Sequence, residues 1–263
     1  MPVRIRLLFD LLALAIIVGY VLLARSTTTG GAADPVWQAV QARGELIVGT
    51  DAGYRPFADL QDGKFIGYDI ELMEEIGRRL GLRVRFVNVG YDALFGSLAV
   101  GRVDVLAAGL PLTPEQSWTA RFTAPYFDAG LMLMVPPGSP IAAAGDLSGK
   151  RVAVALGSTA HIEARRLQRR LPSLQIVDAA LSPAAALQLL RAGSADAAIV
   201  DAPAAIAALN TSADLQIAAA LTYEPYVLAV PVQAYKLHEE LNRILEDLRR
   251  EGFFTRLNER WLR

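Results

Sequence analysis

The chain has 263 residues, of which 53% are hydrophobic, and this size and composition exclude a disordered chain and suit one large domain or two modest ones. Its 26 basic and 27 acidic residues leave a formal net charge of −1, so no overall field favours nucleic acid or an anionic lipid surface as the partner. The absence of cysteine excludes disulfides, thiolate zinc sites, cysteine nucleophiles and a lipid-modified cysteine.

The first 33 residues have the order of an export segment. Arg4 and Arg6 precede an unbroken apolar run over residues 11–24. This run is shorter than the roughly 20 residues of a spanning helix, which favours a cleaved signal peptide. The small residues 31–33, where cleavage would occur, lie well beyond the run, which favours an uncleaved anchor. We expect an extracytoplasmic protein, in the periplasm or on the outer face of the membrane, with residues 1–33 forming either a signal peptide or an anchor plus spacer.

From residue 45 onward, strands and helices alternate. The apolar residues 46–48 predict a buried strand, and the apolar spacing over residues 68–80 predicts an amphipathic helix. A second strand over residues 83–89, a helix near residues 93–100 and a third strand over residues 103–108 follow. The order β-α-β-α-β predicts a parallel sheet.

The same succession then occurs a second time. The predicted elements are a strand at residues 150–155, a helix at about 160–171, a strand at 174–177, a helix from Pro183 towards Gly193 and a strand at 196–200. Residues 98–104 (LAVGRVD) also align with residues 190–196 (LRAGSAD), each with a helix end, a glycine and an aspartate that opens a strand. The sequence therefore predicts two lobes of similar build.

Two extended segments indicate that the chain crosses between the lobes twice. Residues 130–135 lie between the repeats and residues 226–230 follow the second, before two C-terminal helices at about 236–251 and 253–261. If these helices pack on the first lobe, the lobes are joined by a two-strand hinge. We expect lobe 1 at residues 45–128, lobe 2 at residues 129–224 and a return to lobe 1 at residues 225–263.

Six short motifs carry a family resemblance. They are residues 49–57 (GTDAGYRPF), 67–72 (GYDIEL), 101–104 (GRVD), 122–127 (FTAPYF), 157–159 (GST) and 252–254 (GFF). With these motifs in order, the chain resembles the bacterial extracellular solute-binding proteins of family 3, the receptors of polar amino-acid ABC transporters. The resemblance implies a two-lobed α/β fold of the periplasmic-binding-protein-like type II, with two parallel-sheet lobes that close on a small polar ligand, and an ABC transporter permease as partner.

The resemblance places one part of the ligand site in the second lobe. It assigns Asp201, at the end of a strand, as the acceptor for a ligand ammonium group. It assigns Ser158 and Thr159, with the helix start that they form, to a ligand carboxylate. The alternative for all three residues is simple helix capping.

In the first lobe, the resemblance makes Tyr54 an aromatic wall and Asp51 a polar lining residue. The alternatives are that Tyr54 is a core ring and that Asp51 only holds its own turn. We expect the backbone carbonyl or amide of Gly109, and the side chain of Gln116, to be further ligand contacts. At the position where the family usually has a carboxylate-clamping arginine, this chain has Gln116, and Pro111 stands at a hydroxyl position.

We expect the ligand to be an amino acid or a related amine. The absence of the carboxylate-clamping arginine bears on which of these two it is. Arg55 and Arg121 are substitutes from outside the motif. A site with Asp201, aromatic rings and no matched arginine favours a cationic ligand, such as an amine or a quaternary ammonium. The candidate rings are Tyr54, Tyr91, Trp118 and Tyr126, of which we expect at least two to belong to the core.

Two other classes of function remain as alternatives, a ligand-sensing module and a dehydratase-like enzyme on the same scaffold. The two histidines are His161 and His238, and His161 is the sole candidate acid–base group near the cleft. We expect it on the helix surface, because no nucleophile motif or metal-ligand spacing accompanies it. The sequence therefore predicts a monomeric binding protein with no catalytic residues, metal, cofactor or nucleic-acid partner.

Overall fold

The computed structural model describes residues 34–262, so the expectations for the export segment at residues 1–33 lie outside the described residues. The strands are β1 (Glu45–Thr50), β2 (Asp59–Gln61), β3 (Lys64–Ile66), β4 (Arg83–Asn88), β5 (Val105–Leu106), β6 (Ala120–Phe122), β7 (Phe127–Asp128), β8 (Leu131–Val135), β9 (Arg151–Ala155), β10 (Gln175–Ala180), β11 (Ala197–Asp201), β12 (Gln216–Ala220), β13 (Pro225–Tyr226) and β14 (Ala229–Pro231). The helices are α1 (Pro35–Arg43), α2 (Tyr68–Leu80), α3 (Leu94–Ala99), α4 (Thr159–Arg170), α5 (Pro183–Arg191), α6 (Ala202–Thr211), α7 (Tyr235–Arg250) and α8 (Phe253–Trp261). Within this described part, no helix combines the length and the apolarity needed to cross a membrane.

Two five-stranded sheets organise residues 45–231, with the strand orders β4-β1-β5-β14-β6 and β10-β9-β11-β8-β12. The predicted strands pair in parallel, as β4-β1-β5 in the first sheet and as β10-β9-β11 in the second. In each sheet one strand runs antiparallel to these, β14 in the first and β8 in the second. An edge strand then pairs antiparallel with it, β6 with β14 and β12 with β8. Strands β8 and β14 are the predicted crossing segments, and each extends the sheet of the lobe that it enters.

The internal repeat extends to single hydrogen bonds. Gly101 and Gly193 both end a helix with φ of 70°, in the left-handed region that glycine adopts without strain. Asp104 then makes two hydrogen bonds of 2.8 Å to the backbone of Ile47: its N–H donates to the Ile47 carbonyl, and its side-chain Oδ2 accepts the Ile47 N–H. Asp196 exchanges the same two bonds with Arg151, both again 2.8 Å. The alignment predicted between residues 98–104 and 190–196 is confirmed.

The C-terminal helices pack on the first lobe. The buried face of α7 (Leu237, Leu241, Ile244, Leu245 and Leu248) shares one core with the apolar face of α2 and with β1. Tyr68 Oη donates to Asn258 Oδ1 of α8 at 3.1 Å, and Trp261 Nε1 donates to Glu71 Oε2 at 2.9 Å. The chain therefore enters the second sheet and returns to the first, as two crossings require.

The two crossings meet in a short ribbon, in which β7 pairs antiparallel with β13. Asp128 ties the ribbon together, because its Oδ1 accepts the N–H groups of Gly130 and Glu224, both at 2.9 Å. At Gly130 the two chain segments approach so closely that a Cβ atom would lie 2.1 Å from the carbonyl oxygen of Thr222. This ribbon is a two-strand hinge, as the sequence predicts, but it is formed by residues 127–128 and 225–226, just before the predicted crossing segment 130–135 and at the start of the predicted crossing segment 226–230.

Candidate functional site

A cavity of about 310 Å³ lies where the first-lobe loop after β1, the hinge and the strand ends of the second lobe meet. In α/β sheets of this kind, ligands bind at the carboxyl ends of the parallel strands. The lining residues are Tyr54, Arg55, Pro56, Phe57, Ala129, Leu131, Ala155, Ser158, Thr159, Ala160, Pro183, Ile199, Val200, Asp201, Pro203, Glu224 and Tyr226. Four of the predicted site residues are among them: Tyr54, Ser158, Thr159 and Asp201.

Asp201 ends β11 and caps α6 at the same time. Its Oδ1 accepts the N–H of Ala204 at 2.9 Å, which satisfies one free amide at the helix start. Its Oδ2 accepts no hydrogen bond from residues 34–262, and the residue lines the cavity. The carboxylate can therefore cap the helix with one oxygen and bind a ligand cation with the other.

Ser158 and Thr159 form the start of α4, and the structure divides their tasks. Ser158 Oγ accepts the N–H of His161 at 3.2 Å and donates to the carbonyl of Ala155 at 2.7 Å, so this hydroxyl serves the helix cap. Thr159 is exposed at the cavity, and the amides of Thr159 and Ala160 have no carbonyl one turn earlier to accept them. These N–H groups, at the positive end of the helix dipole, suit an anionic or carbonyl oxygen of a ligand.

Tyr54 and Tyr226 form the aromatic wall on the first-lobe side. The ring of Tyr54 stacks on Phe57 with centroids 5.4 Å apart and is 40% exposed, so it is both a packing partner and a cavity surface. The hydroxyls of Tyr54 and Tyr226 lie 2.5 Å apart. Burial raises the pKa of both hydroxyls, which keeps them protonated at neutral pH. Since one hydroxyl donates to the other, one proton remains available for a ligand acceptor.

A second cavity of about 440 Å³ adjoins the same wall. Its lining comprises Asp51, Gly53, Tyr54, Tyr91, Gly109, Pro111, Glu224 and Tyr226. The Asp51 carboxylate accepts the N–H groups of Gly53 and Tyr91, each at 3.1 Å, so it holds its own loop while it faces this cavity. The predicted ligand contact through the Gly109 amide meets a competitor, because that N–H donates to Asp69 Oδ2 at 2.6 Å.

Glu224 and Tyr226 line both cavities, and neither was predicted. They belong to the second crossing of the hinge, where no motif marks them. Burial raises the pKa of Glu224, and the nearby carboxylates of Asp128 and Asp201 raise it further. No partner for the Glu224 carboxylate occurs among residues 34–262, so it is a free acceptor at the mouth of the site.

The balance of charge in the two cavities is negative. Asp51, Asp201 and Glu224 line them, and the one basic residue among their lining residues is Arg55. Arg55 is ion-paired with Asp59 at 2.6 Å and has a side chain that is 70% exposed. This arrangement attracts a cation and offers no unpaired guanidinium to a carboxylate.

Several residues considered from the sequence lie away from both cavities. Gln116 ends a 3₁₀ turn (Pro114–Gln116), with its Oε1 3.4 Å from Thr119 Oγ1, and it lines neither cavity. Arg121 donates to the carbonyl of Val232 at 2.6 Å, and its guanidinium lies over the ring of Tyr235. Neither residue stands where it would contact a ligand in these cavities.

The expectation that at least two of the four candidate rings belong to the core was wrong. Tyr126 is buried, whereas Tyr91 is 51% exposed at the second cavity and Trp118 is 76% exposed on the surface. Trp118 lies just after the 3₁₀ turn that carries Gln116, beyond the apolar layers of the lobe. The sequence contains no signal that separates such a surface ring from a cavity ring.

His161 also lies outside both cavities. Its side chain is 15% exposed, less than we expected for a surface position, because Nδ1 accepts the N–H of Gly157 at 3.1 Å and the ring folds over the start of α4. Within the described residues, no group of three or more acidic, histidine or cysteine side chains could hold a metal ion.

The chain is similar to several known proteins. Over 229 residues the chain is 27% identical to the L-cystine-binding protein of Escherichia coli (strain K12), covering 84% of each chain. It resembles the solved structure of an ancestral cationic amino acid solute binding protein at 30% identity, covering 86% of this chain and 99% of that one with a TM-score of 0.67. It also resembles that of an ancestral cyclohexadienyl dehydratase at 26% identity, covering 88% and 97% with a TM-score of 0.70.

The match to a sequence family extends over most of the chain. Residues 46–263 match the family described as bacterial extracellular solute-binding proteins, family 3. This range includes both sheets, the hinge and the residues that line both cavities. The chain therefore belongs to the bacterial extracellular solute-binding proteins of family 3.

Proposed function

We propose that this protein is an extracytoplasmic receptor that binds a small cationic solute, an amino acid or a related amine, and delivers it to the permease of an ABC transporter. The observation that carries the ligand class is the cavity between β1, the hinge and β11, which presents Asp201 and Glu224 with no unpaired basic side chain among its lining residues. A ligand ammonium or guanidinium would replace its lost water with the free oxygen of Asp201. The rings of Tyr54 and Tyr226 would cover its apolar part.

The carboxylate of an amino acid would be held more weakly than the cation. The groups available to it are the amides at the start of α4, the Thr159 hydroxyl and the remaining hydroxyl proton of the Tyr54 and Tyr226 pair, which are all neutral donors. Hydrogen bonds from neutral donors contribute less than a bidentate guanidinium does. We therefore propose that the cationic group, and not the α-carboxylate, determines affinity.

We propose that the site binds its solute without catalysing a reaction. His161 lies outside the cavities and its Nδ1 is occupied, so it lacks access to a bound solute. The likeness to an ancestral dehydratase concerns a protein built on the same two-lobed scaffold, and a scaffold does not carry a reaction by itself.

A thermal-shift panel tests the ligand class with a matched pair of compounds. L-arginine and agmatine carry the same guanidinium, and agmatine lacks the α-carboxylate. Any ligand that prefers the folded state raises the melting temperature, with about 2.7 kcal/mol of stabilisation at a hundred times its Kd. We expect agmatine to stabilise the protein at least as much as L-arginine, and both to exceed L-glutamate. Stabilisation by L-glutamate with none by the two cations would contradict the proposal.

A further inference from the structure

Asp69 is a fully buried carboxylate that the proposed binding mechanism does not use. It lies in the first turn of α2 and is 0% exposed. Its Oδ2 accepts the N–H of Gly109 at 2.6 Å, and its Oδ1 accepts the hydroxyl of Tyr126 at 2.8 Å. Burying a carboxylate costs free energy unless hydrogen-bond donors pair with it. The buried position of Asp69 therefore depends on these two donors.

The two donors belong to segments that build the ligand wall and the hinge. The backbone of Gly109, with φ of +53°, packs against the aromatic wall, where a Cβ atom would lie 2.4 Å from Tyr54 Cε1 and 3.1 Å from Tyr226 Cε2. Tyr126 immediately precedes β7 and donates its backbone N–H to the carbonyl of Tyr226 at 2.9 Å. Asp69 also donates its own N–H to the carbonyl of Phe57 at 3.0 Å, in the loop that carries Tyr54.

We propose that Asp69 is a positioning residue whose carboxylate holds the Gly109 loop against the hinge segment at Tyr126, and that its protonation moves the Tyr54 and Tyr226 wall of both cavities. The effect on ligand binding rests on the proposed function. The coupling between the protonation of Asp69 and the position of the Tyr54 and Tyr226 wall does not. An ionised carboxylate accepts from both donors. A neutral carboxyl group must donate its own proton, and of the two partners only the Tyr126 hydroxyl can accept one. The Gly109 bond then loses its charge assistance and weakens.

The surroundings of Asp69 place its protonation near neutral pH. Burial raises the pKa of Asp69 to about 7, against the lowering effect of its bonds from Gly109 and Tyr126. The ionisable groups that interact with Asp69 include the tyrosines Tyr54, Tyr68 and Tyr126, and burial raises the pKa of each. These groups stay protonated, so none of them competes with Asp69 for the proton near neutral pH.

A pH titration of the ligand-free protein tests the link by amide ¹H–¹⁵N spectroscopy between pH 5 and pH 9. We expect the Gly109, Tyr54 and Tyr226 amide signals to shift with one common midpoint near pH 7. In Asp69→Asn, whose side chain resembles the neutral acid, these shifts should disappear. Glu224 also titrates at the cavity, with a raised pKa, so Glu224→Gln is the matched control. We expect the common midpoint to be unchanged in this variant.

Tyr126→Phe provides a second variant if Asp69→Asn does not fold. Removing one hydrogen-bond donor from a carboxylate raises its pKa, so the common midpoint should move upward. The proposal is overturned if Gly109 titrates while Tyr54 and Tyr226 do not, if the midpoint persists in Asp69→Asn, or if it stays in place in Tyr126→Phe. Because no ligand is present, failure here leaves the proposed function standing, and a negative ligand panel leaves this link standing.

Discussion

Glu224 shows how a residue without a motif comes to face a ligand site. It follows the exposed Tyr223 in a chain segment with no helix or strand periodicity, and its place at both cavities arises because β13 pairs with β7. Asp201 and Tyr54 could be predicted, since each directly follows a recognisable strand or motif. Arg55 was considered as a carboxylate clamp, but its pairing with Asp59 of the β2 and β3 hairpin required the structure.

The charge of Glu224 should contribute to cation affinity in a pH-dependent way. Its raised pKa means that Glu224 takes up a proton at a higher pH than a free glutamate does, so acidification removes a cation acceptor and weakens binding. We expect Glu224→Gln to bind agmatine about two- to fivefold more weakly at pH 8, because the side chain is partly exposed to solvent.

Calorimetric titration at several pH values measures this effect. Glu74→Gln is the control, because Glu74 has a raised pKa of the same main cause, burial, but lies on α2 and lines neither cavity. Equal affinity losses in both variants would show that Glu224 acts through the overall charge of the protein and not through the site.

At the scale of elements, periodicity predicted the helices with strong apolar faces. α2 has the predicted bounds, because Ile70, Met73 and Ile76 mark one face and Gly81 ends it in a left-handed conformation. α1 and β12 were not predicted. α1 buries only Val40, and β12 is an alanine-rich edge strand of mostly exposed and half-buried residues, so neither leaves a clear apolar pattern.

The hinge ribbon makes a prediction about Gly130. In Gly130→Ala the new Cβ would lie 2.1 Å from the Thr222 carbonyl oxygen and 3.0 Å from Asp128 Oδ1, so the two crossing segments must separate. Overpacking of this kind costs about 1 to 3 kcal/mol. For a chain of this size each kcal/mol lowers the melting temperature by about 2 to 4 °C. Scanning calorimetry should therefore find a clear decrease.

Gly145→Ala is the matched substitution for that comparison. Nothing lies within 4 Å of a Cβ atom at Gly145, which sits in an exposed turn at a non-positive φ. We expect its melting temperature to change little. Equal decreases in the two variants would mean that the close approach at the hinge is not what makes Gly130 necessary.

At the scale of the whole molecule, the repeat explains why one site forms between two sheets. Asp51 follows β1 and Asp201 ends β11, so both lie at the carboxyl ends of parallel strands in sheets with the same parallel core, although β11 corresponds in the repeat to β5 and not to β1. The repeat could be predicted because the same turn and aspartate recur at Asp104 and Asp196. The pairing of β7 with β13 brings the strand ends of the two sheets together and so decides which side chains share a cavity. This pairing could not be predicted from the sequence.

If the Asp201 carboxylate holds the ligand cation, as we propose, Asp201→Asn should weaken cation binding. Asparagine keeps the cap on α6, because its Oδ1 can still accept the N–H of Ala204, while the charge is lost. The affinity is measured by calorimetric titration with agmatine or L-arginine, whichever stabilises the wild type more. We expect the variant to bind about 10- to 100-fold more weakly than the wild type, since a hydrogen bond to a charged group contributes about 1.5 to 3 kcal/mol. An unchanged affinity, with an unchanged melting temperature of the ligand-free protein, would show that Asp201 only caps the helix and does not hold the ligand cation.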